Sequence, residues 1–396
     1  MIGEVRRNRD PRAPVLTGIR ITEFRKNAMT AKYPYDAVLY SPEVETPEPG
    51  EAETTAELIE TLRRISETTY RDGGHALRSV HAKSHALLEG RLDVLDGLPR
   101  QLAQGIFAHA TSYPVMLRLS TNPGDILDDS ITVPRGLAIK VLGVEGERLP
   151  GSETATTQDF VMVNAPAFAA PSVRKFAGSL KLLAATTDQP QILKKVVSSV
   201  LRGAESVVEA FGGESAALKA MGGAAQTHPL GDTFHTQTPY RYGDYIAKVS
   251  LVPVSQELTD LTGTTLGTSG DPNVIRDTVT AFFQRHPGTW EVSVQLCTDL
   301  EAMPIEDSSV VWPEDRSPHV PVARITLPPQ TSWSEQRSHV VDDGFAFSPW
   351  NGLAAHRPLG SINRARKLSY EMSADFRARH NGCPIHQPGK DARLPE

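Results

Sequence analysis

The chain has 396 residues, a net charge of −6 and charges of both signs interspersed, which argues against nucleic acid as a partner. No apolar run approaches the ~20 residues that a spanning helix needs, so no membrane span is expected. Two cysteines, Cys297 and Cys383, are too few for a disulfide framework, and no apolar secretory stretch is visible near the N-terminus, so the expected location is the cytoplasm.

Residues 1–50 are Pro-rich and lack periodicity, and read as an arm; residues 51–396 read as one domain. Ala56 to Tyr70 predicts an amphipathic helix on Leu58, Ile59, Leu62 and Ile65. Arg78-Ser-Val80-His81-Ala-Lys83 then sets a histidine in a short Arg/Val/Lys frame. The run Tyr113 to Thr121 alternates, with Val115, Leu117 and Leu119 on one face and Met116, Arg118 and Ser120 on the other. Pro134 to Leu142 predicts the next strand. Gln158 to Phe168 follows, with Phe160, Met162 and Asn164 sharing a face; Asn164 alternatively ends a strand at a turn before Pro166.

Val173 to Gly212 predicts helix broken at Asp188-Gln-Pro190. Strands return at Ile246–Val254 and Glu291–Cys297, and Asp271-Pro272 opens a helix that ends near His286. Asp342-Asp343 reads as a loop before the last helix rather than as a carboxylate dyad. The last helix runs from Ile362 to Arg379, with Ser361 as N-cap and Asn381-Gly382 as the stop. Separated strand groups with helices between them predict an α+β fold, an antiparallel barrel with helical insertions.

Arg366 and Tyr370 are four apart on that last helix and share a face, with Arg377 two turns on. A cation beside a phenol favours its ionised form, and a metal ion does so more strongly. The same spacing also suits an ordinary surface pair. His380, Cys383 and His386 have metal-like spacing but supply only three ligands. Gly212-Gly213 and Gly222-Gly223 match no phosphate loop, and there is no C-x-x-C-H for covalent haem attachment.

Together these segments resemble the haem-catalase superfamily, in its short catalase-like branch of catalase-related peroxidases. The resemblance runs from Arg78 to Arg377. It rests on R-x-V-H-A-K at 78–83, P-V-x-x-R-x-S-T at 114–121, P-R-G-x-A-x-K at 134–140, Asn164 in V-x-V-N-x-P, and R-x-x-x-Y at 366–370. It implies a catalase-like antiparallel barrel with a C-terminal helix carrying the haem ligand. It further implies non-covalent haem b with ferric iron bound by Tyr370, an arrangement that is the catalase one itself. His81 becomes the distal acid/base, Asn164 the distal amide and Ser120 the residue that orients the histidine. Arg366 becomes the partner of Tyr370, and Arg78, Arg118 and Arg377 the haem-propionate arginines. Phe168, or Phe176, becomes the aromatic stacked on haem.

The implied activity is peroxide cleavage, as catalase or peroxidase, on hydrogen peroxide and organic hydroperoxides with a small-molecule reductant. A homo-oligomer is compatible with the sequence. The chain departs from the family in its single asparagine at 164, its loose match over residues 240–248, and its lack of the C-terminal additions of larger catalases. A hydroperoxide lyase or isomerase of the allene-oxide-synthase type is the alternative. Val80 speaks against it, because that branch resembles threonine at this position, whose hydroxyl bonds the histidine. A haem sensor or carrier is the second alternative, and the distal His81 and Asn164 argue against it.

Overall fold

Val115, Leu117 and Leu119 of strand β2 (Ser112–Thr121) turn into a large apolar core, while Met116, Arg118 and Ser120 turn out of it. This alternation orients the whole sheet. The computed structural model describes residues 35–184, 226–268 and 270–396. The other strands are β1 (Ser84–Val94), β3 (Arg135–Leu142), β4 (Thr157–Val163), β5 (Phe234–His235), β6 (Tyr240–Tyr242), β7 (Tyr245–Pro253), β8 (Gly288–Leu296) and β9 (Val320–Leu327).

All pairings are antiparallel, and the order is β5-β4-β3-β2-β1-β9-β8-β7-β6. The two-residue β5 pairs with both β4 and β7 and so closes an eight-stranded barrel, with β6 added as a hairpin partner of β7. Closure leaves no long edge to pair with another chain. The barrel interior is filled by Leu88, Leu117, Leu119, Ile139, Phe160, Met162, Val249, Trp290, Val292 and their neighbours.

Helix α1 (Glu51–Gly73) begins five residues before the expected Ala56, and its Leu58, Leu62 and Ile65 are buried as the periodicity requires. Helix α2 (Val173–Ala184) opens the segment expected to run to Gly212; residues 185–212, including the Asp188-Gln-Pro190 break, both glycine pairs, and residues 1–34 of the arm lie outside the described residues. Short α3 (Gln256–Thr259), α4 (Val274–Phe283) and short α5 (Glu335–Ser338) follow. Residues 339–343, expected as a loop, form one wide π-helical turn.

The last helix, α6 (Ser361–Asn381), differs from expectation at its cap. Gly360 is the N-cap at φ +85°, and Ser361 is the first helical residue. A serine cap is not needed, because Glu306 accepts the Ser361 N–H at 2.8 Å and Glu45 accepts that of Gly360 at 2.9 Å. Helices α1, α2 and α6 share a second core of Leu58, Leu62, Ile65, Val173, Ala177, Ile362 and Ala365. That core holds α6 against α1 and α2. No described helix is long and apolar enough to cross a membrane.

Candidate active site

A cavity of about 700 Å³, including its mouth, lies between the outer face of the barrel and α6. Its barrel wall is Val80, His81, Arg118, Ser120, Gly136, Ala138 and Val161; its other wall is Ser369, Tyr370, Ser373, Ala374 and Arg377, with Leu62 of α1 at the side. Cross-strand register explains the barrel wall. Arg118 pairs with Ala138, which pairs with Val161; Ser120 pairs with Gly136, which pairs with Val163. Directly opposed residues point to one face of a sheet.

His81 enters from the segment before β1 in a left-handed backbone conformation, φ +56°. For a non-glycine residue this is costly and is kept only where the surroundings enforce it. Here the His81 N–H donates to the Asn122 carbonyl at 2.6 Å, and the His81 carbonyl accepts from Arg118 Nη2 at 2.8 Å. The imidazole Nδ1 lies 3.2 Å from Ser120 Oγ, and that hydroxyl donates to the Gly136 carbonyl at 3.5 Å. In the tautomer in which Nδ1–H donates to Oγ, the hydroxyl donates on to the Gly136 carbonyl and the Nε2 lone pair is left free. Burial above all, then the charges of Arg118, Arg366 and Arg78, pushes the His81 pKa down to about 3. The ring is neutral at neutral pH and able to take a proton.

Tyr370 faces the cavity from α6, and its phenol hydrogen-bonds no other described residue. Arg366 sits one turn earlier on the same helix, but its guanidinium donates to Thr238 Oγ1 at 3.3 Å and Asn363 Oδ1 at 3.2 Å and lies 5.5 Å over the Phe168 ring. Phe168 and Phe176 meet edge to face at 5.0 Å against the second core and do not line the cavity.

Three arginines stand at one end. Arg78 donates to Asp342 Oδ1 at 2.8 Å and to the carbonyls of Asp342, Val341 and Phe345. Arg118 Nε donates to the same Oδ1 at 2.7 Å. Arg377 donates to the carbonyls of Asp342 and Phe345. Burial and mutual repulsion lower the pKa of Arg78 well below the usual arginine value and that of Arg377 to about 10. Asp342 moves the other way: burial raises its pKa, but the charges of Arg118 and Arg78 and the Ser84 hydroxyl outweigh burial and lower it strongly.

Asn164 lies just past the end of β4, at the turn before Pro166. Sharing a face with Phe160 and Met162 puts a residue toward the barrel interior, and β4 ends at Val163, the residue in register with Gly136. The Asn164 amide accepts the Arg135 N–H at 2.9 Å and donates to Asp232 Oδ2 at 3.2 Å, and it is not part of the cavity lining. Lys83 of the histidine motif is also spent structurally, donating to buried Asp129 at 2.7 Å. His380, Cys383 and His386 form no metal-type cluster among the described residues. Ser84 was not singled out in the sequence; Leu62, Met162 and Asp342 were read only for helix, strand and loop, and Gly136, Ala138 and Val161 stood inside quoted motifs without a role of their own.

The residues present fit a flat, iron-containing dicarboxylate. Tyr370 offers a phenol oxygen with no other use, and the arginine end offers anion-binding donors, among them the buried Arg377 Nε, which has no acceptor. Gly136 and Ala138 keep the barrel wall low.

No family profile and no curated sequence matches the chain. Solved structures do. A fungal catalase aligns with a TM-score of 0.54 at 18% identity, over 79% of this chain and 62% of that one. Catalase A from Saccharomyces cerevisiae aligns at 0.53 and 18%, over 79% and 63%. A bacterial catalase aligns at 0.52 and 14%, over 92% and 70%. The chain spans less than two thirds of the length of the first two, and identities this low speak to fold alone. By its closed antiparallel barrel and wrapping helices, the chain shares the fold of these catalases.

Proposed function

We propose that the cavity binds haem b through Tyr370 and that the protein is a haem-dependent peroxide-cleaving oxidoreductase. The observation that carries this reading is the meeting of His81, Tyr370 and three buried arginines around one cavity. When bound, the haem iron supplies the redox chemistry by which the O–O bond is broken.

The chain's own residues supply ligation, orientation and proton movement. Tyr370 provides the iron ligand, and Arg78, Arg118 and Arg377 hold the two carboxylates. His81 acts as base and then acid: its free Nε2 takes the proton of an incoming hydroperoxide and returns it to the departing oxygen as water or alcohol leaves. Ser120 keeps the ring in the tautomer that this requires. Asn164 does not line the cavity; its Oδ1 accepts the Arg135 N–H, and one of its two amide hydrogens goes to Asp232. Leu62, Val80, Val161 and Met162 make the lining otherwise apolar, which excludes water and admits hydroperoxides larger than hydrogen peroxide.

The test is an absorption spectrum of the purified protein with hemin, followed by peroxide consumption. A Soret band that shifts in Tyr370→Phe, with turnover that falls in His81→Ala, supports the reading. A chain that takes up no hemin overturns it.

A further inference from the structure

Asp342 touches two of the three cavity arginines, yet nothing in the proposed chemistry uses it. Its Oδ1 accepts from Arg78 and Arg118, and its Oδ2 accepts from Ser84 at 2.7 Å and Ser338 at 2.8 Å. The next carboxylate, Asp343, is engaged by His75 and Asn381. One carboxylate is therefore set directly against two of the three guanidinium groups, and the third, Arg377, is held by the backbone carbonyl of the same residue. The arginines do not depend on it for their positions. Arg78 also holds three carbonyls, Arg118 holds those of His81 and Ala82, and Arg377 holds two. What the Asp342 side chain adds is charge.

We propose that Asp342 is an internal counter-ion that stabilises the empty cavity and weakens its grip on the anionic groups of the bound molecule. The inference rests on the haem reading above, because it takes the ligand to carry two carboxylates. Three buried cations without a counter-ion repel one another, so the empty cavity needs Asp342. Once the ligand's carboxylates arrive, Asp342 is a like charge beside them and opposes their binding. It thereby lets the protein fold before it is loaded, at a cost in affinity.

The experiment uses Asp342→Asn in the full chain. Thermal unfolding is measured with and without hemin, and hemin loss to excess apomyoglobin is followed at the Soret band. Without hemin the variant should melt below wild type, and hemin should raise its Tm by more than it raises that of wild type. Hemin loss should slow on the order of tenfold, the scale of one unit charge removed from a partly screened interior. A variant that folds only when hemin is supplied also supports the proposal. Hemin loss as fast as wild type or faster overturns it, as does a variant that fails to fold even with hemin. Wild-type chain that takes up no hemin would overturn the haem reading itself, and that is seen before any variant is made.

Discussion

Gly136 lies directly against the His81 ring: a Cβ at position 136 would come 2.4 Å from Cε1 and 2.5 Å from Nδ1. No real Cβ tolerates such contacts, so the imidazole would have to move. The backbone of Gly136 needs no left-handed conformation, so the demand for glycine here comes from the ring alone. Gly136→Ala should therefore leave folding and hemin uptake close to wild type while peroxide consumption falls tenfold or more. Spectra and initial rates of the same preparation check this, and unchanged turnover would remove His81 from the role proposed.

The fold was legible where burial is one-sided. The 115/117/119 alternation located β2 and its faces, and the apolar stripe of Leu58, Leu62 and Ile65 located α1. Strand β1 was missed because its first five residues, from Ser84, are all buried, sandwiched between the barrel and the outer cluster of Leu87, Met116 and Phe345, so no alternation marks it. The candidate site was legible as motifs but not as register. Of the two readings of Asn164, the turn before Pro166 is the one seen: β4 ends one residue earlier, and the amide meets Arg135. Asp342 was read only as part of a loop, because Arg78, Arg118 and Ser84, which meet its carboxylate, come from segments more than two hundred positions away.

Removing the two amide and imidazole candidates should have unequal effects. His81→Ala should keep hemin and lose roughly 10²–10⁴-fold in peroxide turnover, the usual value of a positioned proton-transfer group. Asn164→Ala should change turnover little. It should instead lower stability by about 1–3 kcal/mol, because the buried Arg135 N–H loses its acceptor. Urea titrations alongside rates separate the two. A large kinetic loss in Asn164→Ala with normal stability would contradict the placement of its amide.

Acid should destabilise the protein well above the ordinary carboxylate range. Burial is the main cause that lowers His81, His235 and His356 to about 3, and His228 and His319 to about 4. Unfolded, each titrates near ~6.5, so below that pH the unfolded chain binds more protons than the folded one. Stability is therefore fully present above about pH 6.5 and falls as the pH drops toward the folded values, by roughly 1.4 kcal/mol per histidine per pH unit. Urea midpoints at pH 7.5 and 5.5 should differ clearly, with the lower value at pH 5.5. Equal midpoints would mean that these rings are protonated in the folded chain.

The choice of reaction turns on Val80. Its side chain lines the cavity beside His81 and packs against the core shared by α1, α2 and α6. It offers no hydroxyl, so among the described residues the side-chain hydrogen-bond partner of the ring is Ser120, on Nδ1. Val80→Thr keeps the shape and adds a donor next to the imidazole. That hydroxyl would compete for His81 as the proton acceptor, and both oxygen evolution from hydrogen peroxide and oxidation of a phenolic dye should fall. In wild type both activities should be measurable, with dye oxidation equal to or above oxygen evolution, because the apolar lining favours neither a small nor a charged peroxide. Side-by-side assays on the two proteins decide. A wild-type enzyme inert in both, yet turning a lipid hydroperoxide into an epoxide or aldehyde, would assign the cavity to hydroperoxide rearrangement, with His81 positioning the substrate without moving its proton.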